Sequence, residues 1–167
     1  MNKIDASSKK AISSVDSFEK GRLFESYIIE LFNEEYFKLI KWRKAQKTND
    51  RLALLTSSYP DLELIFVGAK KYKFAVECKW RKEFVSGKID WATDYQICSY
   101  ESFENKFRIP VFVAIGIGGE PSNPEKLFVT PLRNICRYRE VYETELIPFI
   151  RKPTHKFFYD TVQLKLF

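Results

Sequence analysis

The sequence predicts a mixed α/β domain, a central mixed sheet with helices packed against it. Three observations carry this. Leu23, Phe24, Tyr27, Ile28, Leu31 and Phe32 recur at helical spacing and make one apolar face. Two β-rich runs, DLELIFV (61–67) and YKFAVECKW (72–80), are separated only by Gly68-Ala69-Lys70-Lys71, which reads as an antiparallel hairpin. The run PVFVAIGI (110–117) is apolar without alternation and follows a second helical stripe, as a strand buried on both faces and parallel to a neighbour requires.

In chain order, residues 1–15 are polar and read as a loose lead-in or a short extra helix. Asp16 followed by Glu19 suits a helix start, and the first helix is expected over about 17–35. A first strand follows over 36–45, then a polar connection over 46–59, then the hairpin. Ser86-Gly87 breaks the pattern. Residues 89–107 return to helical spacing, with Ala92, Gln96, Tyr100, Phe103 and Phe107 on one stripe. After strand 110–117, a loop over 118–124 leads to a further strand at 127–130, and 157–167 reads as a terminal strand. The order is helix, strand, hairpin, helix, strand. The expected organisation is one domain over 16–167, with its core at about 17–131 and a C-terminal extension at 132–167.

Composition narrows the function classes. The 167 residues include 15 Phe, 9 Tyr and 3 Trp, too aromatic for a disordered chain. A chain this long buries roughly 70% of its unfolded surface. No apolar run approaches the ~20 residues of a membrane span. Cys78, Cys98 and Cys136 are far apart, and His155 is the one histidine, which argues against a disulfide framework or zinc knuckle. The start has no apolar segment of a secretory signal, so a cytoplasmic location is expected.

The net charge of +6 is spread along the chain without a basic tail. Local clusters stand out: Lys38, Lys41, Arg43, Lys44 and Lys47, then Lys79, Arg81 and Lys82, then Arg133, Arg137 and Arg139. Cations interleaved with aromatics suit a phosphate backbone, because they displace its condensed counterions. A solvated face is the ordinary alternative for any one cluster.

The hairpin register concentrates chemistry. A turn centred on Ala69 places Asp61 opposite Glu77; a turn centred between Ala69 and Lys70 moves the partner to Cys78. Either way two carboxylates lie across neighbouring strands, where like charges destabilise. A hard divalent cation taking oxygen ligands would compensate. By strand alternation Lys79 shares the face of Glu77, while Val76, Cys78 and Trp80 face the other way. An exposed strand with Asp61 at its start and a Glu77–Lys79 surface pair would account for the same residues.

Pro60-Asp61, fifteen residues, then Glu77-Cys78-Lys79 resembles the signature of the PD-(D/E)xK nuclease superfamily, whose fold is called restriction endonuclease-like. Gly21-Arg22-Leu23-Phe24-Glu25 is similar to the opening of the first helix in several branches. Gln96-Ile97-Cys98-Ser99-Tyr100 is similar to a glutamine-x-x-x-tyrosine motif placed, in one branch, on the helix after the lysine strand. The element order also matches, over roughly 17–131.

The resemblance implies a metal-dependent endonuclease acting on DNA. Asp61, Glu77 and the Cys78 backbone carbonyl would bind Mg²⁺, with Mn²⁺ as a substitute. Lys79 would position the attacking water or stabilise developing charge. Glu25 would support a ligand water or second metal, and Gln96 would orient the Lys79 or water network. Lys41, Arg43, Lys44, Arg81 and Lys82 would hold the phosphate backbone. A homodimer is expected where two strands are cut, and no membrane partner. The alternative is a non-catalytic nucleic-acid-binding module on the same fold.

Overall fold

The computed structural model describes the backbone of residues 6–43 and 58–167, with side chains from Asp16 onward in those segments. Helix α1 (Ala6–Glu30) leads to strand β1 (Phe37–Trp42), then β2 (Leu62–Val67) and β3 (Lys71–Arg81). A short β4 (Lys88–Asp90), helix α2 (Asp94–Phe107), β5 (Val111–Ile117) and β6 (Lys126–Pro131) follow. The C-terminal part adds β7 (Glu140–Tyr142), the single-turn helix α3 (Glu143–Leu146), β8 (Ile150–Arg151), β9 (Tyr159–Asp160) and β10 (Lys165–Leu166). The main sheet runs β1-β2-β3-β5-β6-β8. Within it β3 and β5 are parallel and the other pairs antiparallel.

Two apolar layers enclose this sheet. On one face Phe24, Tyr27, Ile28 and Leu31 of the α1 region pack on Leu62, Leu64, Phe74, Val76, Phe112 and Ala114. On the other, Ile97, Tyr100 and Phe103 of α2 pack with Trp91 on Ala75, Val113 and Ile115. Every residue of β5 is buried, as its unbroken apolar run requires. Residues 132–167 complete the sheet edge with β8, and Phe157, Tyr159 and Leu166 close the α1-side core.

Several boundaries differ from the sequence reading. α1 starts at Ala6 rather than near residue 17, since no proline or glycine interrupts the chain before Gly21. The second helix begins only at Asp94. Thr93 caps it, its side chain accepting from the Gln96 N–H, and Ile89 belongs instead to β4, opposite Val141. The expected terminal strand is a small hairpin of β9 and β10. Residues 44–57, with most of the polar connection and the end of the expected first strand, lie outside the described residues.

α1 docks on β5 through one close approach. A Cβ added at Gly116 would sit 2.4 Å from Cε2 of Phe24, which is fully buried. Gly116→Ala is therefore expected to destabilise the protein by about 1–3 kcal/mol, read as a lower urea midpoint. Unchanged stability would show that this approach is not constrained.

Candidate active site

β2 pairs with β3 from Val67–Lys71 to Leu62–Val76 and then stops, while β3 continues to Arg81 against β5. The register is that of a turn centred on Ala69. Among the described residues, the last part of β3 thus has one strand neighbour and one open edge. Asp61, just before β2, lies at that edge, and its Oδ2 accepts the Cys78 N–H at 2.8 Å. The N–H and C=O of one extended residue point to the same edge, so the Cys78 carbonyl opens beside Asp61.

Glu77 and Lys79 share the α2 face of β3. Glu77 Oε1 accepts from Lys79 Nζ at 2.6 Å and from the Tyr100 hydroxyl at 2.6 Å. The same hydroxyl lies 3.4 Å from Lys79 Nζ, which donates to it. The Glu77 and Lys79 side chains are only 4% and 13% exposed, so this is an interior pair rather than a surface one. Val76, Cys78 and Trp80 face the α1 side, as alternation predicts.

The electrostatics follow from three carboxylates near one ammonium. Burial, then the charges of Glu77 and Glu25, push the Asp61 carboxyl well above the usual carboxylate range, against the opposing pull of Lys79 and the Cys78 N–H. Burial pulls the Lys79 ammonium down, but Glu77 and Asp61 outweigh it, so Lys79 is held protonated more firmly than usual. The Tyr100 hydroxyl is pushed up by burial and then by Glu77, which keeps it a donor. The Cys78 thiol is pushed well up by burial and then by Asp61, which keeps it neutral and leaves its carbonyl as the donor of interest.

The other expected site residues divide. Glu25 lies within electrostatic reach of Glu77 and Lys79, and its Oε2 accepts from the Trp42 indole N–H. Burial, outweighing that bond, raises its carboxyl pKa. Gln96 is not placed against Lys79: its Oε1 accepts the Thr93 N–H at 3.1 Å, closing a capping box at the start of α2. The helix begins two residues before Gln96, with Thr93 as its cap, and this ties the Gln96 amide to the cap. Tyr100, one turn on, makes the contact expected of the glutamine.

Of the expected phosphate contacts, Lys41 and Lys82 are exposed. Arg43 is engaged internally, pairing with Glu63, donating to the Pro60 carbonyl at 2.6 Å and lying 5.5 Å from the rings of Tyr59 and Phe103. With its backbone N–H on the Asp61 carbonyl, it braces the segment that carries Asp61. Arg81 spends its guanidinium on the carbonyls of Asp90, Trp80 and Trp91 and ties β3 to the start of the α2 region. Lys44 lies outside the described residues.

Tyr100 carries the polar link between α2 and the site. Hydrogen bonds to charged groups are worth about 1.5–3 kcal/mol. Tyr100→Phe is expected to lose that much stability in denaturant titration, whereas a variant as stable as the wild type would deny the bond that role.

No three His, Cys, Asp or Glu side chains converge as a ready ligand set among the described residues. The donors at hand are two carboxylates and a carbonyl. Asp61 Oδ1 and Glu77 Oε2 have no hydrogen-bond donor among the described residues. Hard oxygens, a local excess of negative charge and unused acceptor atoms fit a divalent cation completed by water and substrate. No described helix is long and apolar enough to cross a membrane.

No family model and no curated protein matches the chain. Among solved structures it is similar to Hjc of Archaeoglobus fulgidus, a Holliday junction resolvase from an archaeal hyperthermophile. The identity is 18% and the TM-score 0.54, over 80% of this chain and 91% of that one. A likeness at this identity speaks for the fold: a central mixed sheet flanked by helices, the restriction endonuclease-like fold.

Proposed function

We propose that this protein is a metal-dependent endonuclease that hydrolyses DNA phosphodiester bonds, of the junction-resolving type. One observation carries the reading: Asp61 and Glu77 stand with the Lys79 ammonium at a strand edge that is open among the described residues. The fold shared with Hjc supports the choice of substrate.

Asp61, Glu77 and the Cys78 carbonyl would hold Mg²⁺, with Mn²⁺ as a substitute. Bound there, the cation would polarise the scissile phosphate and lower the pKa of a water. In the metal-free protein Glu77 and Asp61 hold Lys79 as an ammonium against the pull of burial, the form that donates. Its ammonium orients the attacking water and stabilises the charge that develops on the phosphate. Tyr100 fixes the Glu77 carboxylate through Oε1, leaving Oε2 for the cation. Glu25, with one oxygen on Trp42, would hold a further water. Cutting both strands of a junction needs two such centres, which a homodimer supplies.

The test is a cleavage panel of supercoiled, linear, single-stranded and four-way-junction DNA with an RNA beside them, each in Mg²⁺, Mn²⁺ or chelator. Metal-dependent cutting, strongest on the junction, is the expected result. A folded protein that cuts none of them would instead be a nucleic-acid-binding module on this fold.

A further inference from the structure

A cleft of about 600 Å³ lies between α1 and the end of β3, lined by Asp16, Lys20, Gly21, Lys79, Arg81 and Lys82 among others. Lys79 belongs both to this cleft and to the carboxylate site. Gly21 stands in the interior of α1, where glycine is the poorest residue short of proline. Nothing among the described residues asks for it. Its φ is not among the positive ones, which fall at Gly87, Gly118 and Gly119. An added Cβ would meet no heavy atom of the described residues within 4 Å, in contrast to Gly116 under Phe24. A helix-weakening residue that neither backbone nor packing requires, set in the wall of a cleft beside the candidate centre, leaves room for something that enters.

We propose that this cleft is the track for one strand of a nucleic acid, and that Gly21 leaves the space its phosphodiester backbone occupies. The inference rests on the nuclease reading above and adds the path by which the strand reaches Asp61 and Glu77. The charge suits the occupant. Lys20 lies 2.7 Å from Asp16, but Lys82 is exposed and without an ion-pair partner among the described residues. Lys79 stands where the track meets the site. Lysines along a groove hold phosphates without reading sequence.

The experiment uses the full chain with Gly21→Ala and Gly21→Leu. Both residues are better helix formers than glycine, so melting temperatures are expected to hold or to rise by about 2–4 °C. Binding is read in chelator by anisotropy of fluorescein-labelled single-stranded, duplex and four-way-junction DNA, and cleavage is read in Mn²⁺. Gly21→Leu is expected to weaken binding at least about tenfold, Gly21→Ala less, although neither is less stable than the wild type. Lys82→Gln, outside the catalytic set, is expected to reduce the salt slope of binding by about 1. A folded Gly21→Leu protein that binds and cuts like the wild type overturns the track and leaves the nuclease reading standing. A wild type that neither binds nor cuts any of these DNAs overturns both.

Discussion

Asp61→Asn is expected to abolish cleavage and at the same time to raise the melting temperature of the metal-free protein. The two effects have one origin. Asp61 is pushed well above its ordinary range by burial and by Glu77 and Glu25, so the folded state holds a proton there more tightly than the unfolded chain does. Whatever stability this group lends is present below the ordinary carboxylate range and is lost as the pH rises through the raised value. At neutral pH the metal-free fold therefore bears a cost at Asp61, whose charged form burial and the neighbouring carboxylates oppose. Asparagine removes the charge and can still accept the Cys78 N–H. A rise of about 2–4 °C is expected for each kcal/mol released. The rate should fall about a thousandfold, because a cation that has lost one of two carboxylates gives up several kcal/mol of transition-state stabilisation. Mn²⁺ in large excess should raise the melting temperature of the wild type, by about 2.7 kcal/mol of stability at a hundred times Kd, and leave the variant unmoved. An Asp61→Asn protein less stable than the wild type, or still raised by Mn²⁺, would remove Asp61 from the metal site.

The hairpin explains why the centre of this site was legible in the sequence. Strand alternation puts Glu77 and Lys79 on one face, and a turn centred on Ala69, one of the two the sequence allowed, brings Asp61 to the same end of β3. The fully buried β5, parallel to β3, was equally readable because a two-face-buried strand tolerates no polar alternation. What the sequence left open depends on helix phase and on long-range partners. A second helix beginning a few residues later than expected ties Gln96 to the cap and brings Tyr100 to Glu77. Its signal was present, since Tyr100 closes the glutamine-x-x-x-tyrosine pattern and lies on the apolar stripe, but a tyrosine there also reads as core. Arg43 and Arg81 looked like phosphate contacts because charge is visible in a sequence while backbone carbonyls are not. Both meet carbonyls brought near only by the fold. The C-terminal residues gave little because their strands span two or three residues, too short for any period to show.

Lys79→Met should separate chemistry from charge balance by moving stability the other way. The substitution keeps much of the side chain's length and apolar stem and deletes the ammonium. Cleavage is expected to vanish, since among the described residues Lys79 is the cation paired with Glu77, while Arg81 is bound to the carbonyls of Asp90, Trp80 and Trp91. Whereas Asp61→Asn relieves a crowd of carboxylates, Lys79→Met leaves Glu77 and Asp61 facing one another with their internal counter-charge gone. Removing one partner of a buried pair costs about 3–5 kcal/mol, because the remaining charge stays desolvated. The metal-free variant should therefore melt well below the wild type at neutral pH and recover part of the difference as the pH falls, when protonation relieves Asp61, whose carboxyl burial and then Glu77 push up. A divalent cation would do the same work from the other side of the pair. Mn²⁺ should raise the melting temperature of Lys79→Met by more than it raises that of the wild type, because in the variant it replaces the ammonium that paired with Glu77, yet cleavage should not return. Recovery of stability without recovery of activity would assign the carboxylates to the metal and Lys79 to the reacting phosphate. If Mn²⁺ restored neither, the two carboxylates would be a structural pair with Lys79 and not a metal site.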